Sequence, residues 1–476
     1  MNRSPHAPRR FVVIGGGISG LAAAWRLVEL DHSNEVILLE ASERLGGVVQ
    51  TERHDDFLVE LGADSFITSL PWGLDLCQQL GFADELITTN SVNRQALVVR
   101  SGRLEHVPDG FLLMAPTRLG AVLSSTILSW RGKLRLASEV FMPRGAPHDD
   151  ESVASFARRR LGREAFERLV QPLVAGIYTA DPERLSLRAT FPRFLELERH
   201  HRSLILGARR ERTTDPPGDS ESGARYSLFV APRSGMSSMV EAIAAALPPG
   251  TVRLQSSIEQ ITRLPADRWR IRVGTANEAV LDADGLILTA PAHHVARLLA
   301  PVEPALADDL AQITYAGSIV VVVGYRRDQI AHPLEGFGFV VPEVERRRIL
   351  ACSFSSVKFS GRAPERHVLL RVFLGGACHP QYLQWNDPDL RRVVVEELGE
   401  LLGARGKPAF WRIARWERAM PQYHVGHVQL VERIESRLAT LPNLQLAGNA
   451  LRGVGIPHCI HSGWEAAERL LRCDAT

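Results

Sequence analysis

Residues 11–20 constrain this chain more than any other stretch. Phe11-Val12-Val13-Ile14 is apolar and rich in β-branched residues, it ends at Gly15-Gly16-Gly17-Ile18-Ser19-Gly20, and Leu21 to Leu30 then carries a helical pattern. That order is strand, glycine turn, helix. In a Gly-x-Gly-x-x-Gly turn the first glycine permits the tight bend, the second lets a pyrophosphate approach the backbone, and the third packs helix against strand. The helix N-terminus then faces the phosphates. A second apolar run, Glu35 to Leu39, stops at Glu40. This is close to the spacing of about 20 residues at which an acid meets a ribose hydroxyl and disfavours a 2′-phosphate. The glycines alone would describe an ordinary turn equally well; with both flanking elements and Glu40 they predict a dinucleotide site.

The remaining composition narrows the class. A chain of 476 residues has room for two or three domains and a large ligand. With 56 Lys and Arg against 54 Asp and Glu, the formal charge of +2 argues against a nucleic-acid binder driven by bulk electrostatics. The five cysteines are scattered and form no Cys-x-x-Cys pair, which predicts reduced thiols in a cytosolic compartment. The polar, basic stretch from Met1 to Arg10 leads into a glycine-bearing run, unlike a signal peptide, so export is not expected. No stretch approaches the roughly 18 apolar residues expected of a membrane-spanning helix.

The far end of the chain repeats the opening theme. Leu444 to Ala447 reads as a strand running into Gly448-Asn449 and Arg452-Gly453-Val454-Gly455-Ile456, and Ser462 to Arg472 reads as a helix. Backbone N–H groups at such a helix start can stabilise negative charge, although a plain strand-to-helix turn would look the same. Half-sites at opposite ends of the chain require a discontinuous nucleotide domain with other domains inserted. Val252 to Ile261 and Leu286 to Pro291 are candidate further strands of it.

Two segments turn the dinucleotide reading towards a flavin. Glu40-Ala41, with Arg44-Leu45-Gly46-Gly47, and then Gly62-Ala63-Asp64-Ser65 resemble motifs of the amine-oxidase-like flavoprotein superfamily. The resemblance implies FAD, with these residues and Val454, Gly455 and Ile456 around it. In the middle of the chain, Gly176 to Pro182, His201-Arg202-Ser203-Leu204, Gly336-Phe337-Gly338-Phe339, Phe373-Leu374-Gly375-Gly376 and Pro421-Gln422-Tyr423 resemble the oxygen-dependent protoporphyrinogen oxidases. Their coproporphyrinogen-oxidising relatives look equally similar.

That likeness runs through nearly the whole chain. It implies oxidation of protoporphyrinogen IX to protoporphyrin IX, with hydride passing to FAD and electrons to oxygen, forming hydrogen peroxide; coproporphyrinogen III is the alternative substrate. It also implies an α/β (α+β overall) fold of three parts. A discontinuous Rossmann-like FAD domain would take 1–90, 251–298 and 430–476. A mostly helical, membrane-associating domain would take 91–210, and a mixed-sheet substrate domain 211–250 and 299–429.

The resemblance assigns Gly176 as room for the macrocycle, Val340, Leu350 and Phe373 as apolar walls, and Ile258 and Trp416 as FAD contacts. Each wall residue could equally be core. One departure stands out. Where many family members carry a propionate-pairing Arg followed by an aromatic residue, this chain has Ala96 and Leu97, and the nearest cation is Arg94. Arg94 could substitute through a shifted loop, or could be a solvated surface residue.

Residues 110–138 contain no acidic residue, and Arg118, Arg131, Lys133 and Arg135 accompany apolar residues at helical spacing. This predicts either peripheral contact with an anionic membrane surface on the cytoplasmic side or a helix packed on its own core. Arg209 to Ala224, rich in charge, Pro, Gly and Ser, is expected to connect two domains. His424 with His427, and His458 with His461, stand three apart but lack further ligands, so no metal is expected. Expected partners are the porphyrinogen, molecular oxygen and a second copy of the chain. The rival readings are a flavin amine oxidase or desaturase, and a porphyrin-binding flavin-fold protein without catalysis.

Overall fold

The computed structural model describes residues 8–92, 94–145, 150–212, 228–274 and 279–472. At its centre lies a five-stranded parallel sheet in the order Val252–Arg253, Glu35–Leu39, Arg10–Ile14, Gly285–Leu288, Leu444–Leu446. Its strands are short continuous apolar runs because both faces are covered. Phe11 and Val13 pack into one layer with the helices Ile18–Leu30, Met236–Ala245 and Ile456–Arg472. Val12 and Ile14 pack into the other, with a three-stranded antiparallel sheet and the helix His427–Leu438. The first and last helices touch closely: a Cβ on Gly463 would come within 2.3 Å of the Ser19 carbonyl oxygen.

A seven-stranded sheet forms the second body, in the order Phe410–Pro421, Tyr315–Arg326, His367–Gly375, Ala351–Phe354, Gly338–Val340, Leu97–Arg100, Arg103–His106. Its pairings are antiparallel except where Gly338–Val340 meets Leu97–Arg100. Helices between residues 119 and 212 form a third body around their own core. Inside it Arg160 and Glu139 are fully buried and paired. The Glu139 carboxylate also accepts hydrogen bonds from Ser203 Oγ (2.6 Å) and from the backbone N–H of Leu204 (2.9 Å), capping the helix Leu204–Arg212. Arg202, in the left-handed region at φ 65°, turns the chain into that cap. The His-Arg-Ser-Leu block is therefore a helix junction built on one buried acid.

Three sequence expectations change in detail. Residues 252–261 do not form one strand of the parallel sheet. Val252–Arg253 joins it, Gln255 turns the chain at φ 52°, and Ser257–Arg263 opens the antiparallel sheet. The last helix begins at Ile456 rather than Ser462; Pro457 is tolerated because it stands in the first turn, where an N–H has no helical partner. Residues 110–138 are not one helical stretch. Gly110 and Leu113 have positive φ, a two-stranded hairpin joins Phe111–Leu112 to Ala115–Pro116, and helices follow at Leu119–Ser124 and Trp130–Ala137. Phe111, Met114, Val122, Ile127 and Leu136 are buried in the helical core. The connection expected over 209–224 lies outside the described residues beyond Arg212.

Candidate flavin and substrate site

The glycine turn divides its labour residue by residue. Gly15 sits at φ +112°, a conformation that favours glycine, and its N–H donates to the Leu39 carbonyl (2.8 Å). A Cβ on Gly20 would meet the Gly15 carbonyl oxygen at 1.9 Å, so only glycine lets the helix start this close to the strand. A Cβ on Gly17 would meet no atom within 4 Å, which leaves open space in front of the N-terminus of the helix Ile18–Leu30. The first-turn N–H groups of a helix lack intrahelical partners. An open backbone beside such a terminus suits a pyrophosphate.

The next loop is fastened to this turn. Gly46 N–H donates to Gly16 O (2.8 Å), and Gly46 and Gly47 both adopt positive φ where the two backbones meet. Glu40 accepts from Gly16 N–H (2.6 Å) and Ser42 N–H (2.8 Å), so its carboxylate braces the glycine turn. The remaining lone pairs of its oxygens are where a ribose hydroxyl could donate. Arg44 donates to the carbonyls of Leu45 (3.0 Å), Gly47 (2.6 Å) and Val49 (3.2 Å) and holds its own loop in shape. Ala41 is exposed beside it. Ile258 is buried just after Ser256, whose N–H donates to Glu40 O (2.8 Å). Ile18 and Ser19 are buried in the first turn of the helix.

The two chain ends meet on the other side of the turn. Gly453 at φ +77° precedes Val454 and Gly455, and Gly455 O accepts from Cys459 N–H (3.0 Å) as the last helix begins at Ile456. The loop Gly62-Ala63-Asp64-Ser65 leads into the short strand Phe66–Ile67, which packs on the last helix. Trp416 Nε1 donates to Leu61 O (2.8 Å), and the Arg371 guanidinium donates to Gly62 O. Asp64 is held by Lys358 Nζ (3.1 Å) and Arg371 (3.0 Å), while Ser65 Oγ donates to Asp64 (2.8 Å). Burial pushes the Asp64 carboxyl up, but the two cations and these hydrogen bonds prevail and hold it well below the usual carboxylate range.

Asp64 is also one wall of a cavity of about 210 Å³ between the seven-stranded sheet and the helical body. Gly176, Val340 and Phe373 line it, as does Ala96. A Cβ on Gly176 would lie 3.5 Å from Val340 Cγ1, so the glycine leaves one side of the cavity clear. Leu350 and Arg94 are not among the lining residues. Ala351, Cys352 and Ser353 line the cavity, whereas Leu350, just before their strand, reaches towards Gly376 instead. Arg94 donates instead to the carbonyls of Asn90 (3.2 Å) and Thr89 (3.3 Å).

The cations that do line the cavity are Lys358 and Arg371, both buried. Sequence reasoning missed them. The signal available was Arg371 itself, an isolated charge in Val368-Leu369-Leu370-Arg371-Val372-Phe373-Leu374. The two histidine pairs serve packing: His427 stacks on Tyr423 (4.1 Å) and His461 on Trp72 (3.9 Å). Among the described residues no group of three metal-ligating side chains forms, and no helix is long and apolar enough to cross a membrane.

A glycine turn at a helix start, a bracing acid and a second helix start from the far end of the chain define a dinucleotide-binding protein. Residues 18–471 match the family of flavin containing amine oxidoreductases, and the chain belongs to it. Its cofactor is FAD. The chain is 33% identical over 470 residues to coproporphyrinogen III oxidase of Bacillus subtilis, covering 97% of this chain and 98% of that one. It is 28% identical to the mitochondrial protoporphyrinogen oxidase of Nicotiana tabacum, covering 97% and 95%. A solved structure from Exiguobacterium sp. 255-15, assigned as a protoporphyrinogen oxidase, superposes with a TM-score of 0.86 at 31% identity, covering 99% of this chain and all of that one.

Proposed function

We propose that this oxidoreductase converts a porphyrinogen to the corresponding porphyrin in heme biosynthesis, with oxygen as electron acceptor. The observation that carries the reading is the shared wall. The loop Gly62 to Ser65, which resembles a flavin-contact motif, contributes Asp64 to a cavity with apolar walls at Val340 and Phe373, kept clear by Gly176. FAD held by the glycine turn and Glu40 would supply a two-electron acceptor, so the six-electron oxidation of a porphyrinogen would take three rounds, with three molecules of oxygen reduced to three of hydrogen peroxide.

The chain's own groups do the positioning. The open helix start after Gly17 would receive the pyrophosphate, and the N–H groups at the helix start at Ile456 would stabilise negative charge on the reduced ring. Val340 and Phe373 offer apolar faces to the macrocycle, which is puckered as the porphyrinogen and flat as the porphyrin. For the particular substrate, the sequence pointed to protoporphyrinogen IX. Two buried cations on the cavity wall and the higher identity to the Bacillus enzyme favour coproporphyrinogen III, which carries four propionates instead of two.

A cytoplasmic, peripheral placement fits an exposed apolar face on the helical body. Trp130 (71% exposed), Leu134 (67%) and Phe141 (83%) stand near the exposed Arg131, as in a surface that meets anionic lipid. The test is to give purified protein coproporphyrinogen III and protoporphyrinogen IX in parallel and follow porphyrin fluorescence and peroxide. The coproporphyrinogen rate should be the higher. No rate above spontaneous oxidation with either substrate overturns the proposal, and oxidation of simple amines instead would move the chain to the amine-oxidising branch of its family.

A further inference from the structure

The wall of the cavity nearest the cofactor loop carries more positive than negative charge. Lys358 and Arg371 line it with Asp64, and a third buried cation, Arg362, lies behind them with Glu60, whose carboxyl is also within reach of Arg371. Arg362 spends its guanidinium on the carbonyls of Pro232 (2.8 Å) and Arg233 (2.9 Å). Glu60 accepts from Thr51 Oγ1 (2.7 Å) and Met236 N–H (2.8 Å), and burial pushes its carboxyl up despite those bonds. Among the described residues, Asp64 alone therefore faces both Lys358 and Arg371. Two cations share one carboxylate, and Arg371 Nε, though buried, has no partner among those residues.

A charge buried without a counter-charge is strongly unfavourable, so this arrangement is complete only when another anion arrives. Burial holds the Lys358 ammonium below its ordinary value, with Asp64 only partly opposing, as expected for a cation short of negative charge. The open side of the cluster is the cavity, whose other walls are the apolar Val340, Phe373 and Phe339. An entering molecule must then present a carboxylate on one edge and an apolar body behind it.

We propose that Lys358 and Arg371 form the subsite for one carboxylate arm of the substrate, and that this wall, rather than the chain around Arg94, selects an acidic macrocycle. The substrate's identity as a porphyrinogen rests on the function proposed above; the anion subsite does not. Asp64 positions the two cations; the unpartnered Nε of Arg371 supplies a donor, and the Lys358 ammonium, which already donates to Asp64 and Ser65 Oγ, supplies charge.

The test uses the FAD-loaded protein and two oxidised probes that undergo no turnover, coproporphyrin III and its tetramethyl ester, titrated by fluorescence quenching in the same detergent. The wild type should bind the acid at least about tenfold more tightly than the ester. Lys358→Met should lose about tenfold in affinity for the acid and less than about twofold for the ester, and Lys358→Arg should restore the preference. Equal affinity of the wild type for acid and ester overturns the inference, as does a Lys358→Met variant that weakens both probes by the same factor. If Lys358→Met does not retain FAD, Arg371→Lys takes its place, with a loss confined to the acid expected and an equal loss on both probes refuting. A protein that prefers the acid but oxidises no porphyrinogen keeps this inference and loses the proposed function; one that oxidises porphyrinogens without preferring the acid does the reverse.

Discussion

Gly17 and Gly20 stand three residues apart, yet replacing each with alanine should give opposite phenotypes. At Gly17 the backbone is at φ −71°, open to any residue, and a new methyl group would touch nothing within 4 Å. Alanine is a poorer N-cap than glycine by roughly 0.5–1 kcal/mol, and its smaller unfolded-state entropy returns about as much, so the protein without FAD should keep its stability. The methyl would instead stand where the pyrophosphate approaches. Losing one or two charge-assisted hydrogen bonds there, at about 1.5–3 kcal/mol each, weakens FAD by about 100-fold. At a FAD concentration 100 times the wild-type dissociation constant, ligand stabilisation should then fall from about 2.7 to about 0.4 kcal/mol.

Gly20→Ala would place its methyl 1.9 Å from the Gly15 carbonyl oxygen and 2.7 Å from Thr289 Oγ1. The helix must move, at a cost of about 3 kcal/mol whether or not FAD is present. Denaturant melts with and without added FAD, together with flavin-fluorescence titration, separate the two. A Gly17→Ala protein that binds FAD as tightly as wild type would refute the placement of the pyrophosphate. A Gly17→Ala apoprotein as unstable as Gly20→Ala would refute the reading of the open space.

Gly176→Ala should raise stability by about 0.5–1 kcal/mol, because it removes a glycine from a helix without a clash, while raising KM for the porphyrinogen several-fold; a variant both more stable and fully active would remove Gly176 from the site. Arg160→Met leaves Glu139 buried and unpaired beneath the cap of the helix Leu204–Arg212, and should cost about 3–5 kcal/mol in urea unfolding; a loss under about 1 kcal/mol would contradict that role. Burial, with the neighbouring His294, Arg418 and Arg297, lowers the pKa of His293 to about 4 from the ordinary histidine value of 6.5. The folded state thus resists protonation, and the stability His293 contributes is full above pH 6.5 and lost as pH falls towards 4. His293→Gln should flatten the stability profile in that window, and an unchanged slope would argue against it.

What could be read from the sequence was local in the chain. Gly15, Gly17 and Gly20 announce their geometry because strand, turn and helix follow one another without interruption, and Gly453 to Ile456 does the same at the far end. The charged wall was not legible, since Lys358 meets Asp64 across 294 residues of chain and no spacing rule connects a short helical turn to that loop. Leu350 stands just before the strand whose Ala351, Cys352 and Ser353 line the cavity, and its side chain reaches Gly376 instead, a direction that no local pattern announces. Arg94 was drawn elsewhere by the nearer carbonyls of Thr89 and Asn90. The apolar spacing of 110–138 was real, but positive φ at Gly110 and Leu113 folds its first part into a hairpin.

The contact between the first helix and the last, where Gly463 admits the Ser19 carbonyl, sets an order of events during synthesis. One lip of the cofactor cradle leaves the ribosome long before the other, a delay on the order of half a minute at about 5–20 residues per second. Until then the opening glycine turn and the strands around it have no C-terminal strand or helix against which to close. A nascent chain from which the segment around Gly463 has not yet emerged lacks one lip of this cradle, so acquiring the cofactor reports that both lips have been made.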